Sequence, residues 1–139
     1  MPYAILYACT AVVFLALDAL GLRFLLLPLF ESHIGELLQR PARLGPAAAF
    51  YLFYVVGVVW FAGRPALRQG RASAAFLPGA FLGALCYGTY EFTNYATLAA
   101  WHWQLVAVDL AWGTALTGAT AALGVALALR LGARARPAN

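Results

Sequence analysis

The sequence predicts an all-α fold, an integral membrane four-helix bundle with both termini on the same side, and three observations carry that expectation. Of 139 residues, 64% are hydrophobic and only 10% charged, against about 25% charged in soluble domains. The apolar residues fall into four runs near the roughly twenty that an α-helix needs to cross a hydrocarbon core. Short connectors carrying arginine join these runs, so a soluble domain would have almost no polar sequence with which to cover them. Length alone permits a soluble domain, but patterning makes it the weaker reading. The whole chain, 1–139, reads as a single transmembrane domain.

The first run, 3–27, is YAILYACTAVVFLALDALGLRFLLL. It lacks the basic region that precedes a cleavable signal sequence, so it is expected to be retained as a helix. Asp18 lies in its second half, and Arg23 is expected to snorkel to the nearer surface. Pro28 is expected to end the run, with a short amphipathic interfacial helix over 30–40 built on Ile34, Leu37 and Leu38 and closed by Pro41. His33 has no metal-ligand spacing around it and reads as an interfacial residue.

The second run, 46–63, carries Tyr51 and Tyr54 in its first half and Trp60 near its far end, and leads into a turn with Arg64, Arg68 and Arg71. The third, 74–99, tolerates Pro78 because early helical positions need no intrahelical donor. Its Gly79 and Gly83 have the small-xxx-small spacing that lets helices approach closely. Trp101, His102 and Trp103 form an expected interfacial turn. The fourth, 104–129, is rich in alanine and glycine beyond Trp112, which predicts a face buried against other helices or another subunit. Cys9 and Cys86 sit inside runs and read as small buried hydrophobes.

The net charge of +4 comes from nine arginines and no lysine. Arg64, Arg68 and Arg71 share one side with Arg130, Arg134 and Arg136, whereas Arg23, Arg40 and Arg43 on the other side are offset by Glu31 and Glu36. The positive-inside rule then places both termini in the cytoplasm. No aromatic-interleaved basic patch supports nucleic-acid binding.

This topology gathers the acids of the apolar runs. Counted back from the outer ends of their helices, Asp18 lies roughly 14 Å deep, Glu91 roughly 12 Å and Asp109 roughly 9 Å. Tyr51 and Tyr54 reach similar depth. Tyr87, Glu91, Asn94 and Tyr95 share a helical stripe, as do Asp109, Trp112 and Gly113. A charged side chain in lipid costs at least about 2.5 kcal/mol, so such residues face protein or water. Three neighbouring carboxyls cannot all ionise cheaply, so at least one is expected to carry a proton near neutral pH. The expected ligand-binding set is therefore Asp18, Tyr51, Tyr54, Tyr87, Glu91, Asn94, Asp109 and Trp112. Glu91, Asp109 and Asp18 are the candidates for any catalytic acid. The competing reading is an interhelical hydrogen-bond lock.

The segments MPYAILYACTAVVFLALDAL, FYLFYVVGVVWFA, YGTYEFTNYATL and VDLAWGT together resemble the DUF2177 family of small bacterial membrane proteins. The family pattern has an aspartate matched by Asp18 and a Y-x-x-Y-[DE]-x-T-N block matched by Tyr87, Tyr90, Glu91, Thr93 and Asn94. Its D-x-x-W-G block is matched by Asp109, Trp112 and Gly113. Glu91 stands where aspartate is frequent, and Gly21 where a bulkier aromatic residue is associated with the pattern. The resemblance implies a four-helix protein of the bacterial cytoplasmic membrane and supplies neither activity nor substrate.

Three function classes follow. A carboxylate pocket in the outward half could bind or translocate a proton, a cation or a small amphipathic ligand. A lipid- or isoprenoid-modifying enzyme could use a protonated carboxyl as acid, although no metalloprotease, nucleophile-elbow or nucleotide-binding motif is present. A structural or accessory subunit of a membrane complex would use the same residues for assembly. The expected partners are membrane lipids, with a homodimer or a larger membrane complex as further candidates. The sequence leaves the cofactor unknown, and one acid per helix gives thin support for a metal.

Overall fold

The computed structural model describes residues 1–133; Arg134 and Arg136, used in the charge argument, lie outside the described residues. Helix α1 (Pro2–Gly21) runs through a five-residue π-helical turn, Leu22–Leu26, into α2 (Leu27–Ile34), and the rod ends in a 3-10 turn at Gly35–Leu37. Helix α3 (Leu44–Val58) passes through a second π-helical turn, Val59–Gly63, into α4 (Arg64–Gln69). Gly70, at φ 65°, closes that rod in the left-handed conformation that glycine adopts freely. Arg71 N–H donates back to the Ala66 carbonyl. A 3-10 turn at Ala72–Ala75 opens α5 (Phe76–Thr97), and α6 (Trp103–Arg130) follows a short extended connection.

These elements make four rods long and apolar enough to cross a membrane: Pro2–Leu37, Leu44–Gln69, Ala72–Thr97 and Trp103–Arg130. The expected span over 3–27 and the separate interfacial helix over 30–40 are therefore corrected to one continuous rod. Pro28 does not end the helix. A proline clashes with the carbonyl four residues before it and donates no hydrogen bond. Here that carbonyl belongs to Phe24, inside the widened turn, where Leu27 N–H reaches the Leu22 carbonyl instead. Pro65 repeats the arrangement, with Phe61 in the second widened turn and Arg64 N–H on the Val59 carbonyl.

The rods alternate in direction. Gly79 lies against Thr117 and Ala121, and Gly83 against Gly113 and Thr117, so α5 and α6 run antiparallel in close contact. Thr10 packs on Gly124 and the Trp112 ring on Gly21, which sets α1 antiparallel to α6. Phe14 meets Tyr51 and Tyr54 with ring centroids 5.4 Å apart, and Tyr7 donates to the Leu52 carbonyl at 3.0 Å, joining α1 to α3. The small-residue half of α6, including Thr117, Gly118, Ala121, Gly124 and Ala128, is buried within the chain itself. This face is thus already covered, and a second subunit would have to use another one. Phe24, Phe53, Phe61, Leu77 and Phe81 point outward, as side chains facing lipid do.

A second, smaller apolar cluster covers one end of the bundle. Ile34, Trp101, Leu105 and Val106 are buried there against Phe30 and Leu29, so the far end of the first rod folds over the α5–α6 connection. Arg40 ties the descending chain back to Glu31 at 3.1 Å.

Tyr54 illustrates the interhelical locks. Thr117 Oγ1 donates to the Gly113 carbonyl at 2.7 Å, so the buried Tyr54 hydroxyl, 2.8 Å away, is its donor. Replacing Tyr54 with Phe is expected to lower stability by about 0.6 kcal/mol, the mean for hydrogen bonds between membrane helices. Thr117 keeps its own acceptor, so the shift in thermal midpoint in detergent should be small. A collapse of folded yield would show that Tyr54 carries more than this bond.

Candidate functional site

Glu91 stands six residues before the end of α5 at Thr97, and Asp109 six residues after the start of α6 at Trp103. Each lies about 9 Å along its helix from the same connection. The antiparallel register that pairs Gly79 with Ala121 and Gly83 with Thr117 brings Glu91 opposite Asp109. The two carboxyl side chains adjoin. Glu91 is 0% exposed and Asp109 5%, so the pair is closed off from the surroundings of the bundle.

One oxygen of this pair is held by a residue that the sequence reading assigned to the membrane interface. Trp101 Nε1 donates to Glu91 Oε2 at 2.7 Å. Its ring is buried between Phe30 and Tyr90, whose centroids each lie 5.7 Å from it in edge-on contact. Trp101 is thus a lid over Glu91 and no part of an exposed aromatic belt. Periodicity could not reveal this, because the chain leaves helical geometry at Leu98 before it reaches the indole. Glu91 Oε1, Asp109 Oδ1 and the donor Trp112 Nε1 are buried without a hydrogen-bond partner among the described residues.

Asp18 is also buried, at 3% exposure, but it forms the flank of the pair. It faces Tyr51 of α3. The depth counted for Asp18 assumed a helix ending at Pro28 and does not hold for a rod that continues to Leu37. Asp18 nonetheless arrives beside α6, because Gly21, one turn further on, receives the Trp112 ring. Arg23 is exposed and rests over Phe24 with its guanidinium carbon 5.5 Å from the ring centroid.

The other expected site residues divide. The Tyr87 ring packs directly on Gly113 and stands edge-on to Tyr54, so it walls the site on the α5 side. Tyr54 is engaged by Thr117. Asn94 is half-buried beside Tyr90, one turn back on its own helix. Tyr95 is exposed and lines an outer cavity instead. His102 makes its contacts with the first rod and with the start of α6. Its ring stacks on His33 at 4.6 Å between centroids, and its Nδ1 accepts from Gln104 N–H. His33 in turn is bound to Gln104 Oε1 at 3.0 Å, a pairing invisible in sequence because 69 positions separate the two histidines.

Chemically, the centre is a carboxyl pair with unpartnered oxygens, one indole donor beside it and a third acid on its flank. Such a pair can hold a proton between its members or take a cation. Among the described residues no three His, Cys, Asp or Glu side chains converge closely enough to hold a metal ion.

Comparison with known proteins gives a family-level match. The model of a family described as predicted membrane protein, DUF2177, matches residues 3–126. No curated protein and no solved structure matches the chain.

Proposed function

The chain belongs to the DUF2177 family of predicted membrane proteins, and from that premise we propose that its Glu91–Asp109 pair reversibly binds or passes a positively charged species, a proton or a cation, in the outward half of the bacterial cytoplasmic membrane. The observation that supports this most is the pair itself. Two buried carboxyls adjoin, an oxygen of each has no hydrogen-bond partner among the described residues, and the one ion pair found among those residues, Arg40–Glu31, lies elsewhere. Adjoining carboxyls of this kind can take up and release a proton or a cation between them.

The orientation follows from charge. Arg64 and Arg68 share an end of the bundle with Tyr3, with Arg68 Nε 3.1 Å from its hydroxyl and Arg64 over its ring at 5.2 Å. With the arginine-rich end in the cytoplasm, the Trp101 end faces outward. Asp109 and Glu91 are the charge-bearing residues in this reading, Trp101 positions Glu91, and Asp18 with Tyr51 borders the site.

The test is a flux measurement on reconstituted liposomes. An imposed pH step or a sodium gradient, read by an internal dye, is expected to give uptake in the wild type. Glu91→Gln or Asp109→Asn should slow it at least about tenfold at normal membrane abundance, as loss of one charge-assisted contact worth about 1.4 kcal/mol or more implies. Full uptake in both variants overturns the proposal. Parallel loss of abundance and uptake favours an architectural role.

A further inference from the structure

Beside the Trp101 lid the surface opens into a cavity of about 760 Å³, walled by Tyr95, Leu98, Trp101, His102 and Trp103. Its volume lies in the range of sites for small organic ligands. Trp101 is common to both: it is one of the residues lining the cavity, and its indole N–H holds Glu91. One residue therefore links the wall of an aromatic surface cavity to the buried carboxyl pair. Aromatic side chains at this level suit a membrane interface, but an interface has no need of a buried carboxyl behind the ring.

Building on the carboxyl-pair reading, we propose that the cavity and the pair together form a site for an organic ammonium group, an alkylamine or quaternary amine, admitted when the Trp101 indole turns aside. Two arguments select this class over a divalent metal ion. Magnesium and calcium need about six or more oxygen ligands, whereas the structure gathers no three ligand side chains among the described residues and leaves one free oxygen on each of two carboxyls. Ammonium groups, by contrast, bind well to aromatic faces without a full ligand shell. Tyr95, Trp101 and Trp103 supply those faces, and Glu91 with Asp109 supplies the counter-charge. The ammonium can come from a free amine or from an amine-bearing lipid headgroup, because both present the same chemistry at this depth.

The experiment uses the full chain in nanodiscs of phosphatidylglycerol, with binding of radiolabelled choline read by scintillation proximity. Saturable binding is expected, with 3,3-dimethylbutan-1-ol, the uncharged isostere, unable to compete. Glu91→Gln should weaken binding at least about tenfold. Trp103→Leu, an exposed change that does not touch the carboxyls, should weaken it about two- to fivefold by removing one exposed cation–π contact. Adding phosphatidylethanolamine to the nanodisc lowers choline binding if the natural occupant is a headgroup and leaves it unchanged if it is a free amine; either result supports the ammonium class. Choline binding that ignores both substitutions, or equal competition by the isostere, overturns the proposal. No choline binding together with Glu91-dependent proton or sodium uptake overturns the ligand class alone, while loss of both fails the carboxyl site itself.

Discussion

Gly83→Ala is expected to destabilise the protein by about 1 to 3 kcal/mol, the cost of forcing one methyl group into a filled interior. A Cβ at this position would meet the Gly113 carbonyl oxygen, Thr117 Oγ1 and Thr117 Cβ. Two of these atoms belong to a hydrogen bond that also receives Tyr54, so relief means moving α5 away from α6 and not merely turning a flexible side chain. The damage should spread to the carboxyl pair, since Glu91 and Asp109 depend on the same register. Gly57→Ala and Gly88→Ala are the controls. A Cβ at Gly57 enters open space, and at Gly88 it makes ordinary contact with Leu110 at 3.4 Å. Both should be neutral or slightly stabilising, because alanine favours helix over glycine by about 1 kcal/mol. Thermal unfolding in detergent and abundance in membranes provide the comparison. A Gly83→Ala protein as stable as Gly57→Ala would contradict the packing described between α5 and α6.

The second large effect belongs to Trp101. Trp101→Phe keeps most of the ring between Phe30 and Tyr90 but removes the N–H that reaches Glu91. The buried Glu91 Oε2 would then lose its indole donor, a loss of about 1 to 3 kcal/mol. Glu91→Leu in the same chain removes the orphaned acceptor as well, and the double variant should recover much of the stability, since deleting both partners of a buried hydrogen bond approaches neutrality. Unfolding midpoints for the wild type, the two single variants and the double variant close the cycle. Strict additivity would mean that Trp101 contributes packing and not the bond.

Much of the fold could be read from composition and spacing because the membrane simplifies the problem: four apolar runs have few ways to satisfy their backbones other than as helices. Gly79 and Gly83 were recognisable by their spacing, and they do face α6. Glu91 and Asp109 were placed opposite each other because a short connection fixes both depths from one end. Asp18 was harder, since its depth was measured from a helix end that is not at Pro28. The small-residue half of α6 announced burial but not its cover, because glycine and alanine pack equally well against a neighbouring helix or a second chain. The role of Trp101 and the His33–His102 stack were hidden for another reason. Both depend on how an irregular connection lies against the tip of the first rod, and neither a helical period nor a motif spacing encodes that.

The first widened turn has a further effect on the site. In the first rod the inward row steps by four through Thr10, Phe14 and Asp18 and reaches Gly21; the next buried residue is Leu26, five positions on, after which Phe30 and Ile34 resume the interval of four. The π-helical turn thus acts as a one-residue slip in phase. Each residue of an α-helix turns by about 100°, so an unbroken α-helix of the same sequence would aim Phe30 and Ile34 away from the Trp101 indole. Below the slip the rod presents an acid to the bundle; above it, the same rod presents the apolar residues that press the indole onto Glu91. A single extra residue in one turn therefore decides whether the carboxyl pair is covered.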